Sequence, residues 1–244
     1  MLLKTVLVVL SVVICGLNTA AHAKSYPKIE IGVDDIRVFE SAELDFAFRI
    51  YLIRNAKKTI DIASYDIRPD EKSTLILFDE LRAAADRGVK VRILSSWSSN
   101  FTFDPTGIIP TYLQLPATTE QIQYMVFGGP SLSNYGWNWT DGMHEKLFIV
   151  DGSILLTSGR GFSSDVFVWL DTTFVVKGPL VAQAVDAFGD LWASVSGVVA
   201  PAVTPSSRVS VEHLVVPRFE GERLQNLSQD DMHEYRQLQF WARL

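Results

Sequence analysis

The chain has 244 residues, 48% of them hydrophobic, and it carries 22 basic against 28 acidic residues, a formal net charge of −6. An acidic chain is not expected to bind nucleic acid through a broad basic surface, because such binding depends on neutralising phosphates with lysine and arginine. Cys15 is the single cysteine, which excludes an internal disulfide framework. A hydrophobic core must therefore supply the stability, and one large domain, or one domain with an appendage, is expected at this length.

The N-terminal segment has the pattern of a secretory signal peptide. Lys4 precedes an apolar run from Thr5 to Leu17, and the small-residue sequence Ala21-His22-Ala23 follows it. We expect cleavage after Ala23 and a secreted or periplasmic mature protein. A single-pass anchor is the alternative, although a bilayer span needs about 20 apolar residues and this run is shorter.

The first half of the chain predicts alternating helices and strands. The predicted elements are a helix that begins at Ser41 and closes on Lys57 and Lys58, a strand from Thr59 to Tyr65, a helix from a Ser73 N-cap to Gly88, and a strand from Val89 to Leu94. Strand, helix and strand within about 35 residues favour a parallel pair with a right-handed crossover. The fold class is therefore predicted to be α/β.

Further elements are predicted in the second half, after a polar and aromatic loop region from Ser95 to Tyr112. They are a strand from Ile122 to Phe127, strands in "SILLTSG" and "DTTFVVKG", a helix that begins at Pro179, and a C-terminal stretch with a short strand and a polar helix. We expect a signal peptide over residues 1–23, one domain over residues 24–200 and a C-terminal extension over residues 201–244.

The segment "MHEKLFIVDG" places two basic side chains on one face of a predicted strand. Side chains alternate across a strand, so His144, Lys146 and Phe148 share a face. A buried histidine or lysine is costly unless it is paired, which is tolerable if that end of the strand opens into a cleft that receives an anion. The following Asp151-Gly152 is also a strong hairpin signal, and composition alone does not make Asp151 catalytic.

The pattern His144-x-Lys146-x-x-x-x-Asp151, followed by Ser158-Gly159-Arg160, resembles the HKD motif of the phospholipase D superfamily. The segments "DIASYDIRPDEKSTLILFDELRAAADRGVKVRIL" and "VVKGPLVAQAVDAFGDLWAS" are similar to those that flank the motif in bacterial cardiolipin-synthase-like members, so the resemblance covers roughly residues 36–200. It implies a mixed sheet flanked by helices, forming one HKD half-domain.

The resemblance also implies the chemistry. One histidine attacks the phosphorus of a diester and forms a phosphohistidine, a second histidine protonates the leaving alcohol, and lysines hold the non-bridging oxygens, without a metal or other cofactor. His144, Lys146 and Asp151 are the implied catalytic group. Ser158, Arg160 and Asp171 are the implied substrate-binding or supporting group. A surface position is the alternative for Asp171, and the hairpin is the alternative for Asp151.

Two departures from the family pattern affect the prediction. Gly161 stands where the family carries an asparagine whose amide helps to form the phosphate pocket, so Arg160 or Ser158 is expected to substitute in part. The chain also has a single motif, because neither His213 nor His233 has a lysine two residues later. We therefore expect either a homodimer that shares one site, or an isolated N-terminal half of a two-motif enzyme that needs a partner chain carrying a second HKD motif.

The function expected from the resemblance is that of a phosphodiesterase or phosphatidyltransferase acting on phospholipid. Tyr135, Trp137 and Trp139 could border a lipid-binding cleft and contact a membrane surface, with the capping of a core as their alternative. Two other functions stay open. One is a single-motif exported endonuclease, although nucleic acid is the less expected substrate, and the other is a non-catalytic half that binds phosphorylated head groups.

Overall fold

A computed structural model describes residues 32, 35–69, 72–99, 109, 113, 121–128, 143–162, 170–195 and 227–243. Several sequence predictions lie outside these residues: the signal peptide, the aromatic residues Tyr135, Trp137 and Trp139, His213, and the strand expected near the start of the C-terminal stretch. No helix of the described residues is long and apolar enough to cross a membrane.

The described residues form one seven-stranded mixed sheet. Its strands are β1 (Ile36–Phe39), β2 (Thr59–Ser64), β3 (Lys90–Ser96), β4 (Ile122–Phe127), β5 (Lys146–Val150), β6 (Ile154–Thr157) and β7 (Thr173–Lys177), in the order β1-β7-β6-β5-β2-β3-β4. The pairs β2–β3 and β3–β4 are parallel, whereas the pairs β2–β5, β5–β6, β6–β7 and β1–β7 are antiparallel. The predicted α/β class and the implied mixed sheet are confirmed.

Among the described residues, four long helices cover the two faces of the sheet. They are α1 (Ala42–Asn55), α2 (Lys72–Asp86), α3 (Pro179–Val195) and α4 (Gln229–Trp241). Side chains of α1, α2 and α4 share one hydrophobic cluster with one face of the sheet. Side chains of α3 share a second cluster with the opposite face. The strands of the sheet thus lie between two apolar layers, as in other α/β domains.

The predicted βαβ unit is present as β2, α2 and β3. Gly88 follows α2 with a φ of 91°, a left-handed conformation that glycine adopts without strain and that ends the helix before β3. The N-cap prediction at Ser73 is wrong, because α2 begins at Lys72 and Ser73 lies inside its first turn. The Ser73 hydroxyl is buried and has no hydrogen-bond partner among the described residues.

Helix α1 begins as predicted, since the Ser41 hydroxyl accepts a hydrogen bond from the Leu44 amide at 3.2 Å. It is buried on almost all sides rather than along one stripe, because α4 covers the side that α2 and the sheet leave open. Tyr51 of α1 donates a hydrogen bond to the Gln239 carbonyl at 3.2 Å, and Leu238 of α4 is 1% exposed. The C-terminal stretch therefore adds a helix to the core of the domain.

Candidate active site

One end of the sheet brings together most of the predicted site residues. Strand β5 runs antiparallel to β2, so Lys146 at its start pairs with Ser64 at the end of β2. Phe148 packs in the α1 layer and Ile149 in the α3 layer, which confirms the predicted alternation within the strand. His144 was predicted on the same strand but lies two residues before β5 begins. Lys146 therefore faces α1, at an end where the neighbouring strands also stop.

His144 and Lys146 lie side by side at this end. The Nζ atom of Lys146 is 3.4 Å from Nδ1 of His144 and donates to the His144 carbonyl oxygen at 3.3 Å. The Tyr65 ring, which follows β2, lies 4.8 Å from the His144 ring and 5.7 Å from the Lys146 ammonium. The imidazole is exposed while the lysine is partly buried, so a ligand that reaches His144 from solvent also meets the positive charge of Lys146.

Three carboxylates act on the partly buried ammonium group of Lys146. Burial lowers the pKa of Lys146, and the charges of Asp66, Asp171 and Glu145 oppose that shift, in decreasing order of strength. Asp171 also lies against Gly159, because a Cβ atom on Gly159 would collide with the Asp171 carboxylate. The structure therefore places the predicted Asp171 at the site, at the start of β7, and adds Asp66.

The pKa of His144 lies below its usual range, first because burial disfavours the charged ring and second because Lys146 is close. Since a lowered pKa leaves the ring neutral down to a lower pH, His144 is in the form that a nucleophile needs at neutral pH.

Replacing Lys146 by methionine is expected to raise the pKa of His144, because it removes the nearby positive charge while the burial remains. NMR titration of the His144 imidazole signals checks this result. Lys177→Met is the matched control, because Lys177 is the last residue of β7 and lies at the end of that strand away from the site. A His144 pKa that stays constant or falls in Lys146→Met would contradict the expected coupling.

Ser158 and Arg160 follow β6 and contact the interior rather than open solvent. Arg160 is 1% exposed, and its guanidinium donates to the carbonyl oxygens of Glu40 at 2.6 Å and Asp171 at 2.8 Å and to the Thr173 hydroxyl at 3.0 Å. The Ser158 hydroxyl accepts from the Arg160 amide at 3.1 Å. Arg160 thus joins the turn after β6 to the start of β7 and to the segment that leads into α1.

A buried ion pair from α1 lies beside this turn. Arg49 Nε is 2.7 Å from Asp45 Oδ2, and both side chains are 5% exposed. Asp45 also accepts a hydrogen bond from the Thr173 hydroxyl at 2.9 Å, and Arg49 Nη2 donates to the Ser158 hydroxyl at 3.3 Å. A small cleft is lined by residues of the strands, of the turn after β6 and of α1: Arg49, Ala63, Ser64, Lys146, Leu147, Phe148, Leu156, Arg160 and Phe162.

Asp151 lies at the opposite end of β5, five positions along the strand from Lys146 and about 17 Å away at roughly 3.4 Å per residue. Its carboxylate accepts hydrogen bonds from the backbone amides of Lys57 at 2.9 Å, Lys58 at 2.6 Å and Thr59 at 2.9 Å. Its φ of 53° forms the turn between β5 and β6. The hairpin alternative is the one that the geometry supports, and Asp151 does not contact His144 or Lys146.

Gly161 lies where the chain passes very close to the segment after β2. The Phe162 amide donates to the Asp66 carbonyl at 2.8 Å, and the Arg68 amide donates to the Phe162 carbonyl at 3.0 Å. A Cβ atom on Gly161 would lie 2.6 Å from the Asp66 carbonyl oxygen, which is backbone and cannot rotate away. An asparagine, the residue of the family pattern, therefore does not fit at position 161 of this chain without moving the backbone.

Replacing Gly161 by asparagine, which restores the family residue, is expected to destabilise the protein by about 1–3 kcal/mol, as overpacking does. Denaturant unfolding monitored by circular dichroism measures the change. Gly189→Asn is the matched control, because nothing lies within 4 Å of a Cβ atom at Gly189 of α3. Equal stability of Gly161→Asn and the wild type would show that the close approach is not maintained in solution.

Three residues of the site were missed by the sequence predictions: Tyr65, Asp66 and Arg49. Tyr65 and Asp66 follow the end of β2. Because ligands of α/β sheets bind beyond the carboxyl ends of parallel strands, this position could have identified the two residues as candidates from the sequence. Arg49 lies within an apolar helix, where only its charge among buried neighbours distinguishes it. Among the described residues, no group of three or more His, Cys, Asp or Glu side chains could hold a metal ion.

Comparison with known proteins agrees with this fold. Residues 50–192 match the family described as cardiolipin synthase, PLD-like domain. Cardiolipin synthase C of Escherichia coli K12 is 30% identical over 161 residues, which are 60% of this chain and 33% of that protein. An uncharacterized protein of Helicobacter pylori J99 is 28% identical over 162 residues, 59% of this chain and 30% of that protein. The chain spans about a third of the length of these relatives.

Solved structures share the fold. NucT from Helicobacter pylori superposes with a TM-score of 0.52 at 17% identity, covering 65% of this chain and 96% of that one. Phosphatidylserine synthase of Haemophilus influenzae Rd KW20 gives a TM-score of 0.52 at 22% identity, covering 66% of this chain and 37% of that one.

The mixed sheet with His144 and Lys146 at one end defines a phospholipase D-like half-domain. Because the family match covers more than half of the chain, the protein belongs to the PLD-like cardiolipin synthase domain family, and the resemblance to the phospholipase D superfamily is confirmed. Members of this superfamily are phosphodiesterases or transferases.

Proposed function

We propose that the protein is a phosphodiesterase or phosphatidyltransferase that acts on phospholipid through a phosphohistidine at His144, in a site completed by a second chain. The observation that carries the proposal is the pairing of His144, exposed and with a lowered pKa, with the ammonium group of Lys146 at an open end of the sheet. A nucleophile and a cation at this separation can contact the same phosphoryl group.

The reaction proceeds in two balanced steps. A ring nitrogen of neutral His144 attacks the phosphorus, the bond from phosphorus to the leaving alcohol oxygen breaks, and a protonated second histidine gives that oxygen its proton. Water or an acceptor alcohol then loses a proton to the second histidine and attacks the phosphohistidine, which releases His144. Lys146 holds the non-bridging oxygens, whose negative charge must be stabilised throughout.

The second histidine has to come from another chain in this proposal. Among the described residues the other histidine is His233, which is exposed on α4 and lies 3.4 Å from the Gln237 side chain. PLD-like domains typically act as dimers with a second HKD motif. A symmetric homodimer brings the same strand end of both subunits to one axis, so that each chain supplies one copy of His144.

Phospholipid is the proposed substrate class because cardiolipin synthase C is among the relatives and because the net charge of −6 disfavours nucleic acid. A secreted or periplasmic location, after removal of a signal peptide, is part of the same proposal. It would place the enzyme where it meets the outward leaflet of a bilayer.

Turnover of phosphatidylglycerol vesicles, measured across a range of protein concentrations, tests the proposal. We expect cardiolipin if the acceptor is an alcohol or phosphatidic acid if it is water, with specific activity that rises as chains associate. Product formation with constant specific activity would contradict the shared site. If no lipid product forms and DNA or RNA is cleaved, the protein is a nuclease and the proposed lipid substrate is wrong.

A further inference from the structure

We infer that Arg49 binds a non-bridging oxygen of the substrate phosphate, in place of the asparagine amide for which Gly161 leaves no room. The inference rests on the proposed function. Arg49 would be a second phosphate-binding cation beside Lys146, and it belongs to α1 rather than to the HKD motif.

Arg49 lines the same cleft as Lys146. Its side chain is held between two aromatic rings, with the guanidinium carbon 5.9 Å from the centre of the Phe148 ring and 5.5 Å from that of Phe162. Because Phe148 shares the face of β5 with Lys146, both cations lie on the α1 side of the sheet. A phosphoryl oxygen that enters this cleft meets positive charge from two elements.

The guanidinium of Arg49 keeps part of its hydrogen-bonding capacity for a ligand. Its Nε and Nη2 atoms donate to Asp45, Ser158 and the Arg160 carbonyl oxygen. Within the part of the chain that the structure describes, its Nη1 atom donates to no protein acceptor. The Asp45 carboxylate and the two rings hold the planar group in one orientation, so little side-chain entropy is lost when it binds an oxygen.

Arg160 is less suited to this function although it lines the same cleft. Its Nη1 and Nη2 atoms donate to the Thr173 hydroxyl and to the carbonyl oxygens of Glu40 and Asp171. Turning these donors toward a phosphate would leave buried carbonyl groups without partners, which is unfavourable. Gly161 explains why a substitute is needed, and of the two arginines that line the cleft Arg49 is the better suited to provide it.

The test compares two conservative variants that change matched ion pairs. Arg49→Lys keeps the charge but loses the planar fork. Arg92→Lys is the control, because Arg92 forms a bidentate pair with buried Asp61, at 2.7 and 2.9 Å, and stacks on Phe188 and Trp192 on the α3 face of the sheet. Binding of inorganic phosphate to each full-length variant is measured by calorimetry, with Lys146→Ala as a reference for the site itself.

We expect Arg49→Lys to weaken phosphate binding by about tenfold or more, because a charge-assisted, geometrically matched hydrogen bond is lost. Arg92→Lys should bind phosphate like the wild type even if its melting temperature falls. A wild-type affinity in Arg49→Lys, or an equal loss in Arg92→Lys, would overturn the inference.

Two further results separate this inference from the proposed function. If Lys146→Ala loses phosphate and Arg49→Lys does not, the inference fails and the proposed function stands. If neither variant changes phosphate binding, both fail. Should Arg49→Lys not fold, Arg49→Gln combined with Asp45→Asn removes both charges together, and unchanged phosphate affinity in that variant would overturn the inference.

Discussion

Replacing His144 by alanine is expected to lower phospholipid turnover by at least about 10⁴-fold, because losing a nucleophile or an acid–base group costs this much or more. Stability should change little, since the His144 side chain is exposed and the contacts of its ring among the described residues are with Tyr65 and Lys146. The measurement is product formation from phosphatidylglycerol vesicles, with a denaturation curve for each protein. Turnover within about tenfold of the wild type would remove His144 from the chemistry.

The same variant also reports on the shared site. If each site uses His144 from two chains, adding an equal amount of equilibrated His144→Ala protein should reduce the activity of a fixed amount of wild type to about half, because half of the wild-type chains then pair with an inactive one. His233→Ala protein added in the same way is the control. Activity that is unaffected by His144→Ala would indicate that each chain works alone.

Replacing Asp45 by alanine is expected to destabilise the fold by about 3–5 kcal/mol, because it leaves the Arg49 charge buried without its partner. It also removes the acceptor of the Thr173 hydroxyl, so α1 loses a link to β7. Denaturant unfolding by fluorescence gives the free energy of unfolding.

Asp79→Ala is the control for this variant. The Asp79 side chain is 41% exposed and lies 3.5 Å from Arg82, so its removal should cost about 1 kcal/mol or less. A loss of similar size in the two variants would mean that the Asp45–Arg49 pair is solvated in the protein and does not contribute as a buried pair.

The elements with strong local signals were predicted well. The strand from Ile122 to Phe127 and the helix start at Pro179 agree with the structure, and the parallel β2–β3 pair follows from the short strand–helix–strand spacing. These features depend on periodicity and on backbone restrictions of single residues, which act within a few positions of the chain.

The misses depend on contacts between distant segments. Ser73 has the residue type of an N-cap but lies inside α2, because propensity at a helix terminus is weaker than the packing that sets where the helix begins. Asp66 and Arg49 reach the site from β2 and α1 only once the sheet has formed. Helix α1 is almost completely buried because α4, from the other end of the sequence, packs over it.

The carboxylate of Asp151 anchors β5 to the backbone around the start of β2, at the end of the strands opposite to His144. A strand that slips by one residue turns every side chain to the other face, and here it would send Lys146 into the α3 layer. The spacing between His144 and Asp151 thus matches the length of β5. Asp151 fixes one end of this strand, and His144 and Lys146 lie at the other end. Lengthening or shortening β5 by a single residue would keep both His144 and Lys146 in the chain, but their side chains would no longer point to the α1 side of the sheet.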